Sequence, residues 1–275
     1  MDKTIPPYRL VVFDAIDDPQ GVRDLVCRMT GAHPADAMRW IARAPGIWPI
    51  PLPEAQARAV LDGLDDFGIA AEAWRADQLP DLSRPRIIHK ASCLPAGFRA
   101  QGLHGEATHW APWDKIDLIS AGRVDAEDEF RSVSPMSWPS AVVAGLRALT
   151  FRHPSGFAPR HARAQRIPRD PVGEVLIVRR DPLIAFRIVE NQMNYSYLGN
   201  RLTPSAAGNF PIFLADLCAR ADRALLTDPT RALLGHDAAG DVIFPSSQAL
   251  WDYSTHRLLW SWYRHDRDAG RAAEP

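Results

Sequence analysis

The stretch of the sequence richest in binding chemistry is residues 191–210, NQMNYSYLGNRLTPSAAGNF. Amides, phenol hydroxyls and a guanidinium together bind anions or peptides, and here they precede an expected helix N-terminus, where free backbone N–H groups also favour anions. The candidate binding residues of this stretch are Asn194, Tyr195, Tyr197 and Arg201. A structural interpretation stays open beside this one, because asparagines also satisfy turns and caps and the two tyrosines share one strand face on which they can pack.

A second candidate binding element is the arginine-rich segment 152–169. Its arginines include Arg160, Arg163 and Arg166, and each guanidinium can neutralise one phosphate. This composition allows association with the ribosome or with nucleic acid. The alternative is a surface loop that pairs with the acidic run at residues 125–129.

Standard catalytic motifs are absent from the sequence, which contains no GxSxG, HExxH, SxxK, Walker loop or GxGxxG. One candidate metal cluster combines three histidines and a cysteine, namely His89, His104, His109 and Cys93. Its spacing matches no standard zinc motif, so we expect neither a metal nor a cofactor. A hydrolase with its site near His109, Tyr195 and Arg201 is the alternative from another class, because catalytic groups are assembled in space and not in sequence.

The composition is that of an ordinary globular protein: of 275 residues, 46% are hydrophobic and 24% are charged, with a formal net charge of −1. This balance excludes disordered, collagen-like and coiled-coil classes, and it gives no overall field that would attract nucleic acid or an anionic membrane. The sequence has no run of 18 apolar residues and no signal-peptide pattern, so we expect a cytoplasmic protein without a membrane partner. Three scattered cysteines do not indicate a disulfide framework.

The first 80 residues alternate strand and helix patterns. A β-branched and aromatic run predicts a strand over 8–15, and apolar residues at helical spacing predict a helix over 20–29. Further helices are expected to open at Pro34 and at Pro53, with a short strand or turn, IWPIPL, between them. The segment IAAEAWRA closes the unit as a strand. The predicted order over residues 1–80 is therefore β-α-α-β-α-β.

Two segments of this unit, TGAHPADAMRWIARAP and AQARAVLDGLDDFGIAAEA, align without gaps to a known family. They resemble the C-terminal domain of the bacterial large-subunit ribosomal stalk protein, the "seven/twelve" protein. The shared residues are Thr30, Gly31, Ala37, Ala44, Pro45, Leu64 and Gly68. The resemblance implies the fold of that domain, which docks translational GTPases through basic residues. The matching positions carry Asp24, Cys27, Ala35 and Met38, so the docking charge of the family is not present here.

After a polar, proline-containing linker at 77–85, the hydrophobic period changes from 3.6 toward 2. We expect a β-rich domain over residues 84–275, with an insertion at 123–172 that contains a helix at 138–149. Strands are predicted over seven segments, about 86–91, 97–103, 107–112, 116–121, 174–180, 183–189 and 194–199, followed by a helix over roughly 209–225. Seven antiparallel strands closed by a helix resemble a bacterial pleckstrin-homology domain, as does the phrase GLHGEATHWAPWDKIDLISAG.

A final helix is predicted over 246–268, capped by Ser246 or Ser247. Trp251, Thr255, Leu258 and Trp262 form one stripe along it, which we expect to pack on the second domain. The fold class predicted for the whole chain is α+β. The predicted function is that of a non-catalytic protein-interaction or adaptor protein, with association with the ribosome or nucleic acid and a hydrolase as alternatives.

Overall fold

A computed structural model of the chain describes residues 7–103, 108–125, 170–235 and 242–273, with side chains up to residue 265. These residues form helices and several sheets, so the fold is α+β, as predicted. None of the described helices is long and apolar enough to cross a membrane. The predicted helix 138–149 and the arginine-rich segment 152–169 lie outside the described residues.

The elements before residue 76, which we call the N-terminal unit, occur in the predicted order. They are β1 (Tyr8–Val12), α1 (Pro19–Thr30), α2 (Pro34–Ile41), β2 (Gly46–Ile47), α3 (Glu54–Asp66) and β3 (Ala71–Arg75). The three strands form an antiparallel sheet in the order β2-β1-β3, which leaves β2 at one edge.

Local signals place the helix ends of this unit. The side chain of Asp18 accepts a hydrogen bond from the Gly21 N–H at the start of α1, and Gly31 ends that helix with a φ of 71°. The imidazole of His33 caps α2 by accepting from the Ala35 N–H at 3.2 Å. Prolines occupy the first turn of both helices, where their missing N–H costs nothing.

β1 is buried on both of its faces. Leu10 and Val12 pack with residues of α1 and α3 in the core of the N-terminal unit, and both are fully buried. Val11 and Phe13 point to the opposite face and are also buried, although no helix of this unit covers that face. The cover comes instead from the last helix of the chain, described below.

The remaining elements form two sheets and three helices within the described ranges. Their bounds are β4 (Arg86–Ile87), β5 (Lys90–Leu94), β6 (Gly97–Gln101), β7 (His109–Pro112), β8 (Ile116–Val124), β9 (Val172–Arg179), β10 (Ile184–Val189), α4 (Ala206–Arg220), β11 (Leu225–Leu226), α5 (Asp228–Leu233), β12 (Ile243–Phe244) and α6 (Ser247–Ala273). The strands β5-β6-β7 form one antiparallel sheet. The other sheet has the order β11-β8-β9-β10-β4, and β12 also pairs with β8.

Three features of this part differ from the sequence-based expectations. The two-residue strands β4, β11 and β12 pair in parallel with longer strands, so the strands are not all antiparallel. The expected strand at 194–199 is instead a 3₁₀ segment, Ser196–Arg201, with Gly199 at a φ of 56°. The polar linker is partly buried, because Leu82 packs against Leu118 and Leu176 of the larger sheet.

α6 joins the two parts of the molecule. Its predicted stripe packs on the larger sheet, where Trp251, Leu258 and Trp262 lie in a cluster with residues of β8, β9 and β10. An adjacent stripe, Leu259, Trp260 and Tyr263, covers the outer face of β1. One helix therefore fixes the N-terminal unit against the rest of the described fold.

Candidate functional site

The four predicted binding residues around residue 195 hold local structure. Asn194 forms a turn by accepting from the Ser196 N–H at 2.8 Å, and its own N–H donates to the His89 carbonyl. Tyr195 is 5% exposed, and its hydroxyl donates to the Glu190 carbonyl at 2.9 Å. Burial raises the pKa of Tyr195 far above its ordinary value. These contacts correspond to the structural interpretation that the sequence left open.

Tyr197 and Arg201 meet at Asp216 of α4. The guanidinium of Arg201 donates to both oxygens of that carboxylate, at 2.8 and 2.6 Å, and the Tyr197 hydroxyl donates to it at 3.1 Å. The hydrogen bond from Arg201 lowers the pKa of Asp216. Behind this group, burial raises the pKa of the Cys93 thiol to about 12, so that this cysteine is not a thiolate at neutral pH.

The trio suggested for a hydrolase does not converge on shared partners. His109 hydrogen-bonds with the Arg86 guanidinium at 3.0 Å, whereas Tyr195 and Arg201 contact Glu190 and Asp216. Arg160, Arg163 and Arg166 lie outside the described residues, as does the acidic run apart from Asp125. In the ranges that the structure describes, no group of three histidine, cysteine or acidic side chains is placed to hold a metal ion.

A cleft of about 920 Å³ lies between the N-terminal unit and α6. The N-terminal unit contributes β1, the edge strand β2 and the loop before it. The opposite side consists of the linker, the start of α5 and the first three turns of α6. Clefts between packed units are a common place for ligands, because two surfaces can contact a ligand at once. We take this cleft as the candidate functional site.

The two sides of the cleft differ in charge. The N-terminal unit contributes Arg9 and Arg43, while the linker, α5 and α6 contribute three carboxylates, those of Asp81, Asp228 and Asp252, and one cation, Arg257. Arg9 is fixed by donating to the Pro49 carbonyl at 2.9 Å, whereas the exposed Arg43 has no ion-pair partner among the described residues. The cleft therefore presents a basic side facing an acidic one.

Helix α6 supplies the aromatic part of the cleft with Trp251 and Tyr253, both half-buried. The indole N–H of Trp251 donates to the buried carboxylate of Glu174 at 2.8 Å, and the Arg187 guanidinium lies 5.6 Å from its ring. These contacts fix the orientation of the ring. Arg257, also on α6, forms a long ion pair with Asp228, with 3.6 Å between the guanidinium nitrogen and the carboxylate oxygen.

His256 lies at the junction of the cleft and the aromatic cluster. Its ring is 6.0 Å from that of Phe13, a ring nitrogen hydrogen-bonds with the Val12 backbone, and Nε2 is buried without a hydrogen-bond partner in the described part of the chain. Burial lowers the pKa of His256, and the charge of Arg257 lowers it further. The imidazole is therefore neutral at neutral pH and leaves one nitrogen able to accept a hydrogen bond.

None of the cleft residues was among the sequence-based candidates. Arg43 and Asp252 are far apart in the sequence, and no motif connects them. Two local signals do point to this region: the proline-rich run from Pro45 to Pro53, and the aromatic residues of α6 outside the predicted stripe, Tyr253, Trp260 and Tyr263. Neither signal indicates that the two segments meet.

Comparisons of the chain with protein-family models, with curated proteins and with solved structures give no match. Asp24, Cys27, Ala35 and Met38, which match the docking positions of the stalk family, lie on α1 and α2. Asp24 is exposed beside Arg23, and Met38 is also exposed. The resemblances to the stalk family and to pleckstrin-homology domains stay predictions.

Proposed function

We propose that this protein is a non-catalytic adaptor that binds an extended peptide segment of a protein partner in the cleft between the N-terminal unit and α6. The observation that carries the proposal is the lining of the cleft, which combines a free strand edge, charges of opposite sign on its two sides and fixed aromatic rings.

The free strand edge favours a peptide over a compact small molecule. Among the described strands, β2 pairs only with β1, and both of its residues line the cleft. An extended peptide can add to such an edge through main-chain hydrogen bonds. Pro45 and Pro49 flank β2 and cannot donate, so they limit the pairing to a short stretch and protect the edge from unspecific association.

The charges of the cleft set its preference among peptides. An acidic side chain of the peptide would pair with Arg43 on one side, and a basic one with Asp252 on the other. Within the described residues, Asp252 accepts only from the amide of Gln248, at 2.8 Å, and its side chain is exposed. An apolar side chain between the two charged ones would pack on Trp251 or Tyr253.

The experiment is a selection from a displayed library of random linear peptides on the full-length protein, followed by titration calorimetry of the enriched peptides. We expect enrichment of sequences with an acidic and a basic residue flanking an apolar one. The charge reversals Arg43→Glu and Asp252→Arg should each weaken binding roughly tenfold or more, because each places like charges together.

Matched controls reverse exposed charges outside the cleft, with Arg39→Glu on α2 and Asp62→Arg on α3. These variants should bind the enriched peptides as the wild type does. The proposal is wrong if no peptide is enriched, or if the cleft and control variants bind the enriched peptides equally well.

A further inference from the structure

A second surface, independent of the cleft, lies on the outer side of the β5-β6-β7 sheet. We call it the basic sheet face and define it by Lys90, Ser92, Arg99, Gln101 and Trp110. Alternate residues of these strands, such as Ala91 and Phe98, point into the core. The register places Ser92, Arg99 and Trp110 directly opposite one another on adjacent strands, so the three side chains form one row across the sheet.

The indole of Trp110 packs over Gly97 on this face. A Cβ added to Gly97 would come within 2.6 Å of Cζ2 of that indole and 3.0 Å of its Cε2, so the ring covers the glycine and a larger residue would displace it. Trp110 is nevertheless 40% exposed. The face therefore carries an aromatic platform that is already positioned.

The charged side chains of the described strands β5, β6 and β7 have one sign. β5, β6 and β7 contain no aspartate or glutamate. Lys90 and Arg99 are exposed and have no ion-pair partner among the described residues. Both line a groove of about 230 Å³ together with polar side chains, those of Ser92, Gln101 and Thr108. At the edge of the sheet, Arg179 donates to the Trp110 carbonyl at 2.7 Å and adds a further positive charge.

We propose that the basic sheet face binds single-stranded nucleic acid, with one base stacked on Trp110 and neighbouring phosphates paired with Arg99 and Lys90. Every base has a flat π surface that stacks on an indole, while cations beside the ring neutralise the backbone. Hydroxyl and amide groups in the groove supply hydrogen bonds to sugar or phosphate oxygens. An acidic peptide would use the two cations but would leave the flat indole without a stacking partner, so nucleic acid fits more of the surface.

The experiment measures fluorescence anisotropy of a short fluorescein-labelled oligouridylate with the full-length protein over a range of salt concentrations. Trp110→Leu, which keeps an apolar cover over Gly97, should weaken binding roughly tenfold through the loss of one stacked base. Arg99→Gln and Lys90→Gln should each make the slope of log K against log salt concentration less steep, by about 0.7 for each phosphate that is no longer neutralised. The matched controls are Phe67→Leu and Arg58→Gln, an exposed aromatic and an exposed cation of the N-terminal unit.

Three comparisons separate this proposal from others. The first uses a triple variant with Arg160, Arg163 and Arg166 changed to glutamine, in which Trp110→Leu should still weaken binding of the oligomer. The proposal is wrong if the triple variant abolishes binding while Trp110→Leu in the otherwise unchanged protein does not weaken binding. Uridine monophosphate should compete far more weakly than the oligomer, and equal competition would contradict a strand-binding surface. Polyglutamate should not compete at matched charge, and competition equal to that of the oligomer would indicate an acidic peptide site instead.

Discussion

Toward the N-terminal unit, α6 presents an aromatic cluster, whereas toward the larger sheet its first turns contact a buried ion pair. The ring of Phe13 stacks on Tyr263 at 4.7 Å and lies 4.9 Å from Trp260. On the other side, the carboxylate of Glu174 accepts from Arg187 at 2.8 Å, from Ser247 at 2.7 Å and from Trp251 at 2.8 Å. The same helix is thus held by apolar contacts on one side and by a polar network on the other.

These two kinds of contact respond differently to substitution. Apolar packing is lost gradually, in proportion to the area and volume removed. A buried charge that loses its partner keeps its desolvation cost, so the free energy of unfolding decreases strongly. The polar network also determines where α6 begins, because Ser247 in its first turn bonds to Glu174. The comparison therefore predicts the largest effect at the buried ion pair.

Glu174→Ala should have the largest effect, about 4 kcal/mol of unfolding free energy, because it removes the carboxylate that faces the buried guanidinium of Arg187. Urea denaturation followed by circular dichroism measures it. Glu54→Ala, at an exposed position of α3, should change stability by less than about 0.5 kcal/mol. A loss for Glu174→Ala as small as that of the control would show that the network does not stabilise the fold.

Phe13→Ala should come next, at about 3 kcal/mol, because it removes the ring on which Trp260 and Tyr263 pack. Phe13→Leu should lose less, since it keeps much of the apolar volume. Hydrogen exchange should accelerate in β1 and the middle of α6 and stay slow in β8–β10. Equal acceleration in β8–β10 would mean that the two faces of α6 do not act separately.

Thr230→Val tests whether the charge of the buried groups causes the large loss of unfolding free energy that we expect for Glu174→Ala. Thr230 is fully buried; it accepts from the Ala121 N–H at 2.7 Å and shares a hydrogen bond of 2.8 Å with Thr227. Because this network is neutral, its loss should cost about 2 kcal/mol, less than that of Glu174→Ala. Urea denaturation provides the value. If Thr230→Val loses as much unfolding free energy as Glu174→Ala or more, charge does not explain the large effect of Glu174→Ala.

His256 should give the smallest effect, and one that depends on pH. Burial lowers its pKa in the folded protein below the ordinary value of 6.5, so the unfolded chain takes up a proton first as the pH falls. Its contribution to stability is therefore constant above 6.5 and decreases below that value. His256→Gln should have a smaller loss of stability between about pH 7.5 and about pH 5.5 than the wild type, measured by urea midpoints. Identical losses would contradict this role.

Elements determined by neighbouring residues could be predicted from the sequence. The helices of the N-terminal unit follow from apolar spacing, prolines in first turns and Gly31, and the stripe of α6 follows from the same period. Helical periodicity and capping involve residues within a few positions of one another, so a single sequence contains the whole signal.

Features that depend on distant residues could not be predicted. The parallel pairs of β4, β11 and β12 are each two residues long and carry no pattern of their own. The alternation of Tyr195 and Tyr197 is typical of a strand, but Asn194 starts a turn there, and both rings pack edge-on against Phe213. The cleft joins segments some 200 positions apart, so its lining is a property of the tertiary structure.

The cover that α6 gives to β1 has a consequence for the order of synthesis. Val11 and Phe13 are synthesised well before their packing partners Leu259, Trp260 and Tyr263, which follow them in the sequence. At roughly 5 to 20 residues per second, the intervening chain takes about 12 to 50 seconds to synthesise. During that time the apolar face of β1 that carries Val11 and Phe13 is without the cover that α6 later provides.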